Sequence, residues 1–197
     1  MKICFATNNP HKLLEVREAV ANTNIEILSL SDVNCVDELP ETSDTLEGNS
    51  LQKASYLYQT YNLPCFADDT GLEVESLDGA PGVYSARYAG SQRSADDNID
   101  LLLERLRSKK NRKGRFRTVI TLLGITSDPI FFEGVVDGVI TGERSGEDGF
   151  GYDPVFMPSG HNRTFAQMSM SEKNQLSHRA IAVTALVEYL NRLPNTR

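Results

Sequence analysis

The stretch CFADDTGLEVESLDGAPGVYSARYAG, residues 65–90, decides how the fold is interpreted, because it places two carboxylates directly after an apolar run. Residues 63–67 have the composition of a buried strand. Asp68 and Asp69 follow this run, and aspartate is depleted in strands and costly to bury without a partner. The sequence therefore predicts that the strand ends before the acidic pair. Residues 68–71 are then either a turn or a cation site.

The composition is that of an ordinary globular chain. Its 197 residues are 40% hydrophobic and 24% charged, so residues 1–197 are expected to form a single domain. The net charge of −7 argues against a nucleic-acid polymer or an anionic membrane as a partner, although a local basic site stays open to a small phosphate ligand. No signal peptide or membrane-spanning stretch is visible, and three widely spaced cysteines indicate reduced core thiols. We therefore expect a cytoplasmic protein.

Hydrophobic periodicity predicts strands and helices that alternate along the chain. Strand-like runs cover residues 2–6, 25–28, 64–67, 72–74, 116–126, 130–140 and 155–157. Helical patterns cover residues 10–21, 46–61, 95–106 and 171–193. This order predicts an α/β fold with a mixed sheet and helices, in which two lobes surround a central substrate cleft.

The first polar cluster, TNNPHK at residues 7–12, follows the first predicted strand and begins the first predicted helix. Exposed N–H groups at a helix start, with Thr, Asn and Lys side chains beside them, form a natural phosphate cradle. A capped helix with a surface lysine has the same pattern, because Ser, Thr and Asn are common caps. Thr7, Asn8, Asn9 and Lys12 are therefore candidate phosphate contacts.

The acidic pair is the second cluster. Two adjacent carboxylates raise each other's pKa unless a cation holds them ionised. Mg²⁺ prefers carboxylate oxygens and substrate phosphates, and one carboxylate of such a pair could activate a water molecule as the nucleophile. An ordinary Asp-Asp-Thr-Gly turn is the competing interpretation.

Two further clusters lie near the C-terminus. In GFGYDP, residues 149–154, the glycines allow close approach of a flat ligand, on which Phe150 or Tyr152 could stack. In SEKNQLSHR, residues 171–179, Lys173 and Arg179 suit phosphate, and His178 or Arg179 could bond a purine carbonyl. The alternatives are an ordinary glycine-rich loop and a solvated helix face.

Together these clusters supply a phosphate cradle, a metal–carboxylate centre, a base platform and a cationic clamp. The sequence resembles the inosine triphosphate pyrophosphatases, also called dITP/XTP pyrophosphatases, from residue 3 to about residue 190. The resemblance is carried in order by ATNNPHKLLE, FADDTGLEVESLDGAPGVYSARYAG, GFGYDPVF and SEKNQLSHRA. It implies a two-lobed α/β fold, a homodimer, a Mg²⁺ cofactor and hydrolysis of ITP, dITP or XTP to a monophosphate and pyrophosphate.

The resemblance also implies roles for single residues. Asp69 corresponds to the catalytic base and metal ligand, and Asp68 is its acidic neighbour and also a candidate metal ligand. The second acidic metal ligand of the family is Glu41 or Glu47, because LPETS and LEGN depart here from the acidic motif of many relatives, and Glu41 is favoured. The implied substrate contacts are Thr7, Asn8, Asn9, Lys12, Thr70, Phe150, Gly151, Tyr152, Asp153, Lys173, His178 and Arg179. The segment SLDGAPGVYSAR is expected to shape the cleft wall and a dimer contact.

Two competing functions remain at this point. A Maf-like nucleotide pyrophosphatase would have a similar fold and prefer modified pyrimidines, but the SHR and GFGYDP segments argue against it. A non-catalytic nucleotide sensor would share the binding residues without turning substrate over. Pyrophosphate release from dITP separates these possibilities.

Overall fold

The computed structural model describes residues 1–193, which divide between two compact units. The first unit contains residues 1–69, 118–134 and the chain from residue 179 onward, and the second contains residues 70–117 and 135–178. The chain therefore leaves and re-enters each unit. Each unit has its own cluster of buried hydrophobic side chains.

Most of the strands and helices among the described residues lie where the periodicity predicts them. The strands are β1 (Lys2–Phe5), β2 (Glu26–Leu28), β3 (Cys65–Val74), β4 (Pro81–Gly82), β5 (Lys113–Leu123), β6 (Ile130–Ile140) and β7 (Phe156–Pro158). The helices are α1 (Pro10–Ala19), α2 (Leu46–Tyr61), α3 (Ala95–Arg105), α4 (Met170–Leu176) and α5 (His178–Arg192). Within residues 1–193, none of these helices combines the length and apolar character that crossing a membrane requires.

One mixed sheet joins the strands in the order β2-β1-β3-β5-β6-β7, and β4 pairs with β3. Strand β1 is parallel to both β2 and β3, whereas β4 is antiparallel to β3 and β7 is antiparallel to β6. The prediction of an α/β fold with a mixed sheet is confirmed.

In the first unit, helices pack on both faces of the sheet. Successive residues of a strand point to opposite faces, so neighbouring residues belong to different clusters. Ile3 and Phe5 of β1 belong to a cluster with residues of α1 and α5, and the Phe5 ring stacks on Phe66 at 4.6 Å. Cys4 lies in a second cluster with Cys65 and residues of α2. Burial raises the pKa of both thiols to about 12, so they behave as the reduced core thiols that the sequence predicts.

Strand β3 differs from the prediction. The sequence predicts separate strands at residues 64–67 and 72–74, but a single strand runs from Cys65 to Val74 and contains the acidic pair. Asp68 and Asp69 are therefore buried inside a strand rather than placed after its end. Their charges have cationic partners, described below, which removes the cost on which the predicted break depends.

The prediction of one continuous helix over residues 171–193 is also wrong, because this part of the chain forms the two helices α4 and α5. Ser177 has extended backbone angles of φ −72° and ψ 152°, which end α4 before α5 begins at His178. Leu176 packs against the buried cluster of the second unit, whereas Val183 lies in that of the first. An uninterrupted helix would continue one apolar stripe instead. As a result, His178 and Arg179 occupy the first turn of α5.

In the second unit, Ser85 of the SLDGAPGVYSAR segment forms hydrogen bonds to three other parts of the chain. Its hydroxyl accepts a hydrogen bond from Leu72 N–H at 2.9 Å and donates one to Gly82 C=O at 2.6 Å. Its carbonyl accepts a hydrogen bond from the Tyr152 hydroxyl at 2.9 Å. Ser85 therefore ties β3, β4 and the glycine-rich segment together.

We expect Ser85→Ala to lower the free energy of unfolding by about 1–3 kcal/mol, because it leaves buried polar groups of Leu72 and Gly82 without their partner. Urea unfolding measures this loss. Ser76→Ala is the control, since among the described residues the buried Ser76 hydroxyl has no hydrogen-bond partner. Equal losses for the two variants would contradict the assignment.

Candidate active site

The TNNPHK segment caps α1 in the way that the structural alternative predicts. The Asn9 side chain accepts hydrogen bonds from the N–H groups of His11 at 3.0 Å and Lys12 at 3.3 Å, and the Thr7 hydroxyl accepts one from Asn9 N–H. Asn8 is exposed and Thr7 is half-buried. Asn9 thus occupies two of the helix N–H groups that the cradle hypothesis assigns to phosphate.

Lys12, however, is not a surface lysine. Its side chain is mostly buried, and its Nζ atom lies 3.0 Å from both carboxylate oxygens of Asp68. The first turn of α1 therefore aims this ammonium at the acidic pair in β3, which brings two of the predicted site residues together.

Asp68 lies inside a network of buried charges. It is 1% exposed, and besides Lys12 it contacts Arg179, whose Nε atom lies 3.2 Å from Asp68 Oδ2. Arg179 Nη1 also forms a short ion pair with Glu15 of α1. Two cations therefore alternate with two carboxylates, which compensates charges that would be costly to bury singly.

Asp69 has a different environment, supplied by α2. Its Oδ2 atom accepts a hydrogen bond from the Asn49 side chain at 3.0 Å, and its Oδ1 atom lies 3.6 Å from Lys53 Nζ. Lys53 Nζ is closer to Glu41 Oε1, at 2.6 Å. One ammonium therefore lies between the carboxylates of Asp69 and Glu41.

The two neighbouring aspartates have their pKa values shifted in opposite directions. Burial would raise the pKa of Asp68, but Lys12, Arg179 and Lys53 hold it well below the usual range. Burial raises the pKa of Asp69, and the nearby Lys53 only partly opposes this effect. Of the two, Asp69 is the better proton acceptor, which is typical of carboxylate pairs that divide acid–base roles.

Three residues of this site are absent from the sequence-based predictions: Glu15, Asn49 and Lys53. Each is a polar residue at a helical spacing from buried apolar ones. On α2, the buried face consists of Leu46, Asn49, Ser50, Lys53, Ala54 and Leu57. A polar side chain within an apolar stripe was the sequence signal that could have identified these residues. A helix buries such a side chain only where it has a hydrogen-bond or charge partner.

Protein cations lie beside both members of the acidic pair: Lys12 and Arg179 contact Asp68, and Lys53 lies 3.6 Å from Asp69. Within residues 1–193, no three or more His, Cys, Asp or Glu side chains are grouped so that they could hold a metal ion. The Asp68 oxygens contact Lys12 and Arg179, and the metal-ligand role of Asp68 stays a prediction. Asp69 and Glu41 are the other two predicted ligands, and Mg²⁺ sites commonly use one or two carboxylates together with substrate phosphates.

Glu41 is the better supported of the two alternatives for the second ligand. It shares Lys53 with Asp69, and its negative charge contributes to the raised pKa of Asp69. Glu47 lies in the first turn of α2 and is half-buried. The assignment of Glu41 stays a prediction.

A second cluster of predicted site residues lies within the second unit. The Asp153 carboxylate accepts hydrogen bonds from Phe150 N–H and from Lys173 Nζ, both at 2.8 Å. Lys173 Nζ also lies 4.5 Å from the centroid of the Phe150 ring. Because Lys173 is only 4% exposed, the solvated-face alternative is wrong for this residue.

The glycine before Phe150 is required by this arrangement. Gly149 has a φ of +79°, and a Cβ atom there would lie 2.2 Å from Asp153 Oδ2. Any other residue would displace the carboxylate that holds Phe150 and Lys173. The loop is therefore ordered around one buried ion pair, and the Phe150 ring beside it is half-buried.

Two predicted base contacts are core residues in this structure. Tyr152 is 5% exposed and its hydroxyl bonds to Ser85, so its ring has no open face for a base, and its neighbour Gly151 offers only backbone. The His178 ring is buried and stacks on Phe116 at 4.6 Å. Thr70 is half-buried and follows Asp69 in β3. Their roles as ligand contacts stay predictions.

The described chain is thus an α/β protein whose mixed sheet carries two adjacent buried aspartates among buried lysine and arginine side chains. The sequence model of the Ham1 family matches residues 3–189 of this chain, and the chain belongs to this family.

Relatives of known sequence and structure agree with this placement. The chain is 54% identical over 190 residues to the dITP/XTP pyrophosphatase of Porphyromonas gingivalis, covering 96% of this chain and 97% of that protein. It is 49% identical to the dITP/XTP pyrophosphatase of Christiangramia forsetii, with 98% and 100% covered. A solved HAM1 protein from Coxiella burnetii superimposes with a TM-score of 0.90 at 34% identity, covering 98% and 100% of the two chains.

Proposed function

We propose that this chain is a nucleoside triphosphate pyrophosphatase that removes non-canonical purine nucleotides (ITP, dITP and XTP) from the nucleotide pool. The observation that carries the proposal is the difference between the two aspartates of β3: Asp68 contacts two cations at 3.0 and 3.2 Å, whereas Asp69 accepts a hydrogen bond from the neutral Asn49 amide and has Lys53 farther away, at 3.6 Å. The dITP/XTP pyrophosphatases to which the chain is similar over nearly its whole length support the substrate class.

In the proposed reaction, Asp69 accepts a proton from a water molecule. The Asn49 amide orients one carboxylate oxygen of Asp69, and the other faces Lys53. The water oxygen attacks phosphorus, the anhydride bond between the α and β phosphates breaks, and pyrophosphate and a nucleoside monophosphate are released. Lys12 and Lys53 contribute positive charge toward the phosphate oxygens.

We propose Mg²⁺ as the cofactor, held by Asp69 and Glu41 together with substrate phosphates. Its oxygen-only donor set suits Mg²⁺, which would supply charge neutralisation at the phosphates when bound. Asp68 stays a predicted further ligand, and its oxygens contact Lys12 and Arg179 in the same way that Glu41 Oε1 contacts Lys53.

For the base, we propose that the Phe150 ring is the stacking surface and that Lys173 and Asp153 hold it in place. The backbone of Gly151 and Tyr152, together with His178 and Arg179, would read the purine edge, and Thr70 would contact the substrate beside Asp69. We also propose that the chain forms a homodimer and is located in the cytoplasm. Sedimentation of the purified protein measures the mass of the assembly and distinguishes a dimer from a monomer.

Pyrophosphate release tests the function directly, with dITP, XTP, dATP, dGTP and modified pyrimidine triphosphates as substrates, each with Mg²⁺ or a chelator. We expect rapid turnover of dITP and XTP that is lost when the metal is chelated. Nucleotide binding without turnover would instead support the sensor, and a preference for modified pyrimidines would support the Maf-like alternative.

We expect Lys12→Ala to weaken triphosphate binding by about 10- to 100-fold, the loss of one charge-assisted hydrogen bond, with little effect on a nucleoside. Calorimetry with dITP and deoxyinosine in the presence of a chelator compares the two ligands. Lys2→Ala is the matched control, because Lys2 is an exposed lysine that pairs with Glu26. An equal loss for both ligands would contradict the phosphate assignment.

A further inference from the structure

The connection between α3 and β5 concentrates positive charge in a chain that is acidic overall. Residues 105–117 contain eight of the 20 basic residues and no acidic residue. The rest of the chain then has 12 basic residues against 27 acidic ones. The segment lies entirely within the second unit, and no site residue assigned above belongs to it.

Residues 107–113, here called the basic turn, carry the uncompensated part of this charge. Arg107, Lys109, Lys110 and Lys113 are exposed, and within residues 1–193 no side chain forms an ion pair or hydrogen bond with theirs. Cations at the ends of the segment are engaged, since Arg115 pairs with Glu73 at 2.6 Å. Four like charges therefore remain open to solvent within seven residues.

The backbone of the basic turn is held in place from within the unit. Arg112 donates hydrogen bonds to the carbonyls of Ile140 at 2.7 Å, Thr141 at 2.6 Å and Leu106 at 3.1 Å. The Asn111 side chain donates to Glu75 at 2.9 Å and accepts from Lys113 N–H at 2.9 Å. A ligand would meet an already ordered loop, which reduces the entropy lost on binding.

We propose that the basic turn binds the phosphate backbone of duplex nucleic acid without sequence preference. Four positive charges so close together repel one another, and binding a polyanion would relieve this repulsion. The turn consists of Arg, Ser, Lys and Asn residues, which are the side chains that contact backbone phosphates. It has no apolar residue to enter a membrane and no aromatic residue to stack on single-stranded bases.

The net charge of −7 argues against a nucleic-acid polymer for the chain as a whole, but a local basic site is not described by the net charge. At physiological ionic strength, interactions between exposed charges fade over about 8 Å, so the basic turn acts largely independently of distant acidic residues. The expected binding is therefore weak, local and sensitive to salt.

Fluorescence anisotropy of the full chain with a labelled DNA duplex tests the proposal over a series of salt concentrations. Four phosphate contacts predict a slope of log K against log salt of about −3 to −4. Lys109→Ala/Lys110→Ala should weaken binding and reduce the magnitude of the slope by about 2. An RNA duplex should bind in the same way, because the backbone is what is recognised.

The matched control is Lys2→Ala/Arg192→Ala, which makes the same change in net charge at two exposed sites elsewhere. No duplex binding at low salt, an equal loss in the control variant, or tighter binding to anionic vesicles than to the duplex would overturn the proposal. Pyrophosphate release by the Lys109→Ala/Lys110→Ala variant should match that of the parent chain. The binding assay needs no turnover, so its outcome is independent of the proposed function.

Discussion

Asp69→Asn is expected to abolish turnover of dITP, with kcat reduced by about 10²- to 10⁴-fold or more, as for the loss of a general base. An amide cannot accept the proton of the attacking water, and it is a poorer Mg²⁺ ligand than a carboxylate. The Lys12 and Lys53 ammonium groups remain, so nucleotide binding should be largely retained. Measuring kcat together with the dissociation constant for dITP separates the two effects.

Asp68→Asn is the matched variant, because it makes the same substitution one residue earlier in β3. It removes the carboxylate that compensates Lys12 and Arg179, both of which stay buried. We therefore expect Asp68→Asn to lower the melting temperature strongly, whereas Asp69→Asn should leave it nearly unchanged because burial disfavours the Asp69 charge. Near-normal turnover by Asp69→Asn would place the base elsewhere, with Asp68 next in line.

Arg179→Ala is expected to cause the largest loss of stability, about 3–5 kcal/mol in the free energy of unfolding. The guanidinium is 2% exposed and lies between the carboxylates of Asp68 and Glu15, so its removal leaves excess negative charge in the interior. Denaturant unfolding measures the loss. Adding Glu15→Gln should recover part of it by restoring the balance of charge, and strictly additive effects would contradict this coupling.

The same variant tests whether Arg179 also contributes to base selectivity. An N–H donor directed at the 6-oxo group accepts inosine and xanthine and rejects adenine, whose amine is itself a donor. A required hydrogen bond can discriminate by as much as about 10⁴- to 10⁵-fold. We expect Arg179→Ala to narrow the difference in kcat/KM between dITP and dATP by lowering the value for dITP. An unchanged ratio with a lowered melting temperature would make Arg179 purely structural.

Local patterns were sufficient for much of the fold. The limits of α2 at residues 46–61 and β6 at residues 130–140 agree with the periodicity, because a continuous run of one period needs only neighbouring residues to define it. The order of motifs likewise led to the family. These features depend on short-range chemistry that is visible in the chain itself.

The partners of the acidic pair, in contrast, come from the tertiary structure. Asp68 contacts Arg179 across 111 positions and Lys12 across 56, and α2 supplies Asn49 to Asp69. No periodicity encodes such contacts. Whether an aspartate can lie inside a buried strand depends on the cations that the folded chain brings to it. For this reason the sequence predicted a strand break at Asp68 and Asp69, and the folded chain has none.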